Sequence, residues 1–445
     1  MLERLFKLSA NGTTVPRELQ AGLTTFAAMA YILAVNPSIL SATGMDQSAL
    51  ITVTALTAAV STIIMAALTN FPLALAPGMG INAFFTYTIV IGAGIRWQEA
   101  LGMVFINGVM FLLLSVTGVR EKIVNAIPYS LKIAITCGIG IFIAFIGLKN
   151  GGVIVENSAT LVSPGDFTSG PVMLCLIGVA LTILLVARGM PGAIIVGIAL
   201  TTVIGLFISD GAGGKVTQLP DRIISLPASA APVFLELEFG FLTNSTAFFA
   251  ALPLILTLLM VDMFDNIGTL IGVTKRAGML DANGRLPKVG RALIADSIAA
   301  ILSSLFGTST VVSYIESASG VEAGGRTGLT AITVAVFMLL ALFLTPLILA
   351  VPAAATAPAL VVVGIFMLQS MIEIKMDDFR VAAPAMLTIL CIPLTFSIAE
   401  GIGIGLITTA LLAATSGKPK SLPLTGYIIA GFFFLEFFHI FPFSG

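Results

Sequence analysis

Long apolar stretches separated by short polar loops run along the whole chain. Most of them approach the length of about 20 residues that an α-helix needs to cross a bilayer, so the pattern predicts fourteen membrane-spanning segments. We expect these segments at about 22–40, 50–70, 78–94, 98–118, 130–149, 171–188, 191–209, 243–272, 291–307, 316–323, 328–350, 357–373, 378–397 and 399–416. A further apolar tail at 423–442 is expected to be an interfacial helix, with a fifteenth span as the alternative.

The charged residues of the loops predict how these segments are oriented. Lys and Arg accumulate on the cytoplasmic side of short loops. Every second loop carries such cations: Arg120, Lys122, Arg188, Lys275, Arg276, Arg285, Lys288, Arg291, Arg326, Lys375, Lys418 and Lys420. The intervening loops carry few, and in the 210–242 loop acids outnumber cations. The alternation predicts a multi-pass protein of the cell membrane, inner or plasma, with its N-terminus in the cytoplasm.

The third segment is expected to be interrupted inside the membrane. Pro72, Pro77, Gly78 and Gly80 all disfavour a continuous helix at its start. Asn82 then falls in the first turn of the helix that follows.

The tenth segment is expected to be interrupted as well. Residues 308–314 are rich in β-branched and hydroxyl side chains, which favours a short strand, and Glu316 and Ser317 then open a short helix. A segment this short and polar must be sheltered inside protein. Two interrupted crossings would aim free N–H groups at one pocket, which Asn82 and Glu316 would line.

Short matches within the chain indicate a duplication. Two tripeptides recur with the same offset of 224 residues, Ala126-Ile127-Pro128 as Ala350-Val351-Pro352 and Gly140-Ile141-Phe142 as Gly364-Ile365-Phe366. Because each half contains seven segments, an odd number, the second half must enter the membrane upside down. The predicted fold class is therefore an all-α polytopic membrane protein built as a 7+7 inverted repeat, an arrangement typical of secondary transporters.

Ionisable residues inside apolar segments are candidates for function, because burying them in a membrane is costly. The eighth segment contains Asp262 and Asp265. With Asn266 and Thr269 they project onto one side of a helix within about two turns, so we expect them to face one cavity.

Each candidate also has a structural interpretation. Asp262 would face a neighbouring helix with its charge neutralised, Asp265 would play a packing role, Glu316 would satisfy its own helical turn, and Asn82 would cap locally. The sequence alone leaves both interpretations open.

Composition excludes several other classes of protein. Hydrophobic residues make up 58% of the chain and charged residues only 10%, too few for a water-facing surface. A net charge of −1 without a basic cluster argues against nucleic-acid binding. The single histidine, His439, and three well-separated cysteines argue against a metal site or an enzyme, and no phosphate-binding loop motif occurs. We expect no cofactor.

Four stretches resemble the AzgA-like purine base permeases, a branch of the nucleobase:cation symporters. They are VPRELQAGLTTFAAMAYILAVNPSIL, ALAPGMGINAFF, FDNIGTLIGV and GTSTVVSYIESASGVEAGGRTGLTA. The resemblance runs from about residue 2 to about 416. It implies fourteen spans with short strands in the broken spans 3 and 10, a core domain of residues 1–125 and 243–350, and a gate domain of residues 126–242 and 351–445.

The resemblance also implies roles for individual residues. Asp265 falls where such transporters place a substrate-binding carboxylate, Glu316 matches the acid that opens span 10, and Asn82 matches the amide of span 3. Asp262 departs from the motif and is a candidate for a second proton site. Other candidates for contact with the base are Thr269, Ser317 and, by stacking, Phe84 and Phe264.

The implied activity is uptake of adenine, guanine or hypoxanthine by proton symport. Carboxylates accept the N–H groups of a purine strongly in a dry pocket, and burial there favours a carboxyl that can gain and lose a proton near neutral pH. Asp265, Glu316 and Asp262 are the proton-coupling candidates. The alternative is an anion carrier of the sulfate type with the same architecture. Relatives of this fold often pair through the gate domain, so a homodimer is expected.

Overall fold

The computed structural model describes residues 2–117, 127–279, 286, 288–415 and 422–437, without the side chains of a few residues inside the helices. In the first half of the chain the helices are α1 (Leu2–Phe6), α2 (Val15–Met29), α3 (Ile32–Leu40), α4 (Gln47–Thr69), α5 (Met79–Ala83), α6 (Trp97–Thr117), α7 (Tyr129–Asn150), α8 (Gly170–Ala187) and α9 (Ala193–Gly205). In the second half they are α10 (Ser245–Arg276), α11 (Val289–Phe306), α12 (Ser317–Glu322), α13 (Gly328–Ala341), α14 (Thr345–Leu349), α15 (Ala353–Leu368), α16 (Phe379–Thr395), α17 (Ile398–Thr415) and α18 (Leu424–Phe437).

The predicted all-α membrane fold is confirmed. Each of the fourteen predicted segments coincides with a helix or half-helix, and in the described part of the chain nine helical stretches are long and apolar enough to cross a membrane. The predicted number of fourteen crossings stays a prediction. The described part of α18 covers 14 residues, about 21 Å.

Some residues used for the predicted orientation and repeat lie outside the described residues. They are Arg120, Lys122, Ala126, Arg285, Lys418 and Lys420, together with the end of the 423–442 tail. His439, used in the argument against a metal site, also lies outside them.

The predicted interruptions of spans 3 and 10 are present as two short strands. Strand β1 (Leu75–Pro77) pairs antiparallel with β4 (Val311–Ser313), the fourth strand along the chain, with Ala76 opposite Val312. Backbone hydrogen bonds continue the ribbon at both ends, from Gly78 N to Thr310 O and from Tyr314 N to Ala74 O. All six strand residues are buried, so protein covers the extended backbone as a membrane interior requires.

The strands fit their sequences. Pro77 has no N–H to give to a central ladder, and it lies at the end of a strand only three residues long. On the α4 side, the Thr62 hydroxyl donates to Leu75 O (3.2 Å) and accepts from Leu75 N (2.9 Å). The outer backbone edge of β1 is thereby satisfied by a side chain. A separate hairpin, β2 (Ile154–Asn157) with β3 (Leu161–Pro164), lies between α7 and α8.

Helices α7 and α15, which carry the matched glycines of the predicted duplication, pack against each other. Their matched glycines meet: a Cβ on Gly364 would lie 2.4 Å from Gly140 O, and one on Gly140 would lie 2.9 Å from Gly364 O. About two turns further along α7, a Cβ on Gly147 would lie 2.8 Å from Ala357 O, which is about two turns earlier on α15. The two helices therefore run antiparallel. Mutual contact between residues at the same repeat position is what a twofold axis between the two halves produces.

Candidate functional site

The β1–β4 ribbon brings the two interrupted spans together, and Glu316 stands at one end of it. Glu316 follows β4 by three residues and directly precedes the first residue of α12. Its Oε1 accepts a hydrogen bond of 2.7 Å from the hydroxyl of Tyr31, which lies in span 1. Glu316 is half-buried, and its neighbour Ile315 is 53% exposed. Glu316 is therefore partly exposed, whereas Ser317 beside it is fully buried.

Ser317 fixes the start of α12 against the first interrupted span. It is fully buried, and its hydroxyl oxygen accepts a hydrogen bond from Ala74 N at 3.0 Å. The position of Glu316, one residue earlier, is thus tied to the backbone that leads into β1.

Asn82 stands at the other end of the ribbon. It is fully buried on α5, and its Oδ1 accepts a hydrogen bond from the Ser309 hydroxyl. The bonds described for Asn82 and Glu316 lead to different partners, so the single pocket predicted for them stays a prediction.

Asp262 is held in a network that joins three spans. The carboxylate is fully buried, with Oδ1 accepting from Asn266 Nδ2 (2.7 Å) and Oδ2 accepting from Asn107 Nδ2 (3.1 Å). The other end of Asn266, its Oδ1, accepts from Ser313 N at 2.8 Å. Span 8 is therefore hydrogen-bonded both to span 4 and to the backbone of β4.

The remaining predicted site residues are less informative. The side chains of Phe264 and Asp265 lie outside the described part of the structure. Thr269 is buried on α10, and Phe84 is fully buried in the main apolar core, at the start of a π-helical stretch (Phe84–Gly92) that continues α5. Irregular helix of this kind is common at functional positions.

Sequence reasoning missed three residues of this region. Tyr31 lies between α2 and α3, where the helix of span 1 is irregular, and the apolar pattern gives no sign of its contact with span 10. Asn107 is a lone amide in an otherwise apolar span, and the rule applied to the acids would have singled it out. Ser309 was recognised only as part of a strand-forming stretch.

The chemistry of the region is that of hydrogen bonding. Among the described residues no group of three or more His, Cys, Asp or Glu side chains is placed to hold a metal ion. What the arrangement offers is a partly exposed carboxylate, two buried amide networks and a rigid backbone ribbon between them.

Asn266→Ala should destabilise the protein more than Asn107→Ala. Both amides donate to Asp262, but only Asn266 also accepts from β4, so its loss leaves the buried Ser313 N without a partner. We expect the free energy of unfolding to fall by about 1–3 kcal/mol for Asn266→Ala. Thermal unfolding of the two purified variants in detergent measures the difference. Equal losses would contradict a special link between span 8 and β4.

Comparison with known proteins agrees with this picture. The profile of the Permease family (Xan_ur_permease) matches residues 16–404. Adenine permease AdeQ of Escherichia coli is 42% identical over 98% of this chain and 96% of its own length. Guanine/hypoxanthine permease PbuG of Bacillus subtilis is 42% identical over 98% of this chain and 99% of its own length.

A solved structure has the same fold. The transmembrane domain of the cyanobacterial bicarbonate transporter BicA superposes with a TM-score of 0.64, covering 88% of this chain and 97% of that one. The sequence identity is 17%, so the likeness concerns the fold alone.

Proposed function

The chain belongs to the Permease family, and from that premise we propose that it imports purine nucleobases by proton symport. Its relatives named as adenine permeases and as guanine/hypoxanthine permeases match it over nearly the whole chain, which supports a purine as cargo. We take adenine, guanine and hypoxanthine as the candidate substrates.

The observation that carries the proposal is the partial exposure of Glu316 at the start of α12. Among the predicted site residues whose side chains are described, Glu316 alone is not buried. A purine presents ring N–H groups, and a carboxylate in a site shielded from water accepts them through strong charge-assisted bonds.

The other predicted residues take supporting roles in the proposal. Asp265 is the second carboxylate for the base, Thr269 and Ser317 are polar contacts, and Phe84 and Phe264 are stacking candidates. Asn82 would face the base from span 3 after a rearrangement of its bond to Ser309.

Proton coupling is proposed for Glu316, Asp265 and Asp262. A carboxylate that binds the base can also bind the coupling proton, so that both cross together. Asp262 is the candidate for a proton site that does not contact the base, because both of its oxygens already accept from amides.

Transport would proceed by alternating access between the proposed core domain (1–125 and 243–350) and gate domain (126–242 and 351–445). We further propose the cell membrane as location, a cytoplasmic N-terminus, and a homodimer formed through the gate domain.

Cells that produce the protein should accumulate labelled adenine, guanine or hypoxanthine, and uptake should collapse with the proton gradient. The test is an uptake assay in a strain without its own purine carriers, with and without a protonophore, and with Na⁺ replaced by K⁺. Failure of all three bases to accumulate would contradict the proposal. Uptake that requires Na⁺ would show that Na⁺ and not the proton is the coupling ion.

An anion carrier of the sulfate type is the second candidate. The partly exposed acid at Glu316 disfavours it, because a carboxylate repels an anionic cargo. Sulfate uptake that excess adenine does not reduce would favour this candidate.

A further inference from the structure

Tyr31 makes a contact across the molecule for which neither the motifs nor the proposed transport cycle accounts. It lies between the end of α2 at Met29 and the start of α3 at Ile32, and it is 1% exposed. Its hydroxyl donates to Glu316 Oε1 at 2.7 Å, a length typical of a strong O–H···O bond to a carboxylate. One of the two carboxylate oxygens is therefore engaged by the protein itself.

The second oxygen of Glu316 is in a different situation. Within the described part of the chain, the Tyr31 bond is the only side-chain hydrogen bond of this carboxylate. The side chain is half-buried beside the exposed Ile315. Oε2 thus has no side-chain donor among the described residues, whereas Oε1 has one.

The number of available oxygens matters for one pair of purines. Guanine differs from hypoxanthine only by its 2-amino group, which lies next to the ring N1–H. A carboxylate with two available oxygens accepts both N–H groups of guanine side by side, in the bidentate manner of an arginine–carboxylate pair. When one oxygen already accepts a bond from the protein, a second N–H must compete with that bond, so the bidentate pairing is weakened. The single N–H that the other oxygen accepts can come from either base.

We propose that Tyr31 is a specificity-determining residue: by donating to Oε1 it competes with a ligand N–H for that oxygen, so that the site does not favour guanine over hypoxanthine. The proposal rests on the proposed function. Tyr31 acts as a positioning residue, through the carboxylate, and makes no contact with the base.

Tyr31→Phe should shift the site toward guanine. The variant keeps the ring and removes only the hydroxyl, so both oxygens of Glu316 become available. We measure the KM for labelled hypoxanthine and the inhibition constant of unlabelled guanine in cells producing the full chain. The ratio of KM to inhibition constant should rise about tenfold relative to the wild type, as one further charge-assisted bond predicts.

Tyr314→Phe is the matched control. Tyr314 is also a buried tyrosine whose hydroxyl donates at 2.7 Å, but to the backbone oxygen of Pro77. Its loss should lower thermal stability and leave the guanine-to-hypoxanthine ratio unchanged. The ratio does not depend on the amount of protein in the membrane, so a general loss of packing would not imitate the expected result.

The outcomes separate the two proposals. A ratio that Tyr31→Phe leaves unchanged, or that Tyr314→Phe raises equally, overturns the role of Tyr31 while purine transport stands. If Tyr31→Phe does not reach the membrane, the same ratio is measured on the wild type alone. A preference for guanine over hypoxanthine below about tenfold supports the role of Tyr31, and a larger preference overturns it. A wild-type protein that binds neither base overturns the role as well, and one that takes up no purine overturns both proposals.

Discussion

Replacing Glu316 by glutamine is expected to reduce purine uptake by about a hundredfold or more. Glutamine keeps the size of the side chain but removes the charge, and its NH₂ group would meet the N–H of the base with a donor. A site built to accept a hydrogen bond discriminates strongly when the partner groups no longer match. Initial rates of uptake, normalised to the amount of protein in the membrane, measure the loss.

Glu322→Gln is the control for this substitution. Glu322 lies on the same short helix, six residues later, and is exposed. Its replacement should change the KM less than about threefold, since it lies away from the proposed base contact. If Glu316→Gln transports purines with an unchanged KM, the carboxylate is not the site of recognition.

The interruptions of spans 3 and 10 could be predicted from sequence because they depend on local chemistry. Two prolines and two glycines disfavour a helix at 72–80, and the hydroxyl-rich stretch 308–314 favours an extended backbone. The structure has β1 and β4 within these stretches. The pairing of the two strands agrees with the predicted duplication, because equivalent elements of two inverted halves would meet at their twofold axis.

The partners of the acids could not be predicted from sequence. Tyr31 and Glu316 are separated by 285 positions, and Asn107 and Asp262 by 155. Helical spacing indicated correctly that Asp262 and Asn266 share a face, because that relation lies within one helix. Which neighbouring helix covers the face depends on packing between distant parts of the chain.

Glu18 is a buried acid that was overlooked because it lies outside the predicted apolar segments. Glu18 is near the start of α2, in a region that the sequence presents as a polar entry to the first span. It is nevertheless fully buried. A carboxylate in such a place must find several donors to offset its lost hydration.

The donors come from the N-terminus of α13, more than 300 residues away. Glu18 accepts from the backbone N–H groups of Arg326 (2.8 Å), Thr327 (3.3 Å) and Thr330 (3.1 Å). The hydroxyls of Thr327 (2.9 Å) and Thr330 (2.6 Å) donate to it as well. Glu18 thus caps a helix that belongs to the other half of the chain, where unpaired N–H groups and the helix dipole both favour a negative charge.

Glu18→Ala is therefore expected to cause the largest loss of stability among single substitutions in this region. It would leave buried donors of residues 326–330 without an acceptor, and breaking a buried charged network by removing one partner costs about 3–5 kcal/mol. Glu18→Gln should recover little, because its NH₂ group would oppose these donors. Glu3→Ala is the control, since exposed Glu3 accepts a single bond from Ser9 N and its loss should cost less than about 0.5 kcal/mol. Thermal unfolding of the purified variants in detergent measures these differences, and a Glu18→Ala protein as stable as Glu3→Ala would show that the cap does not hold the two halves together.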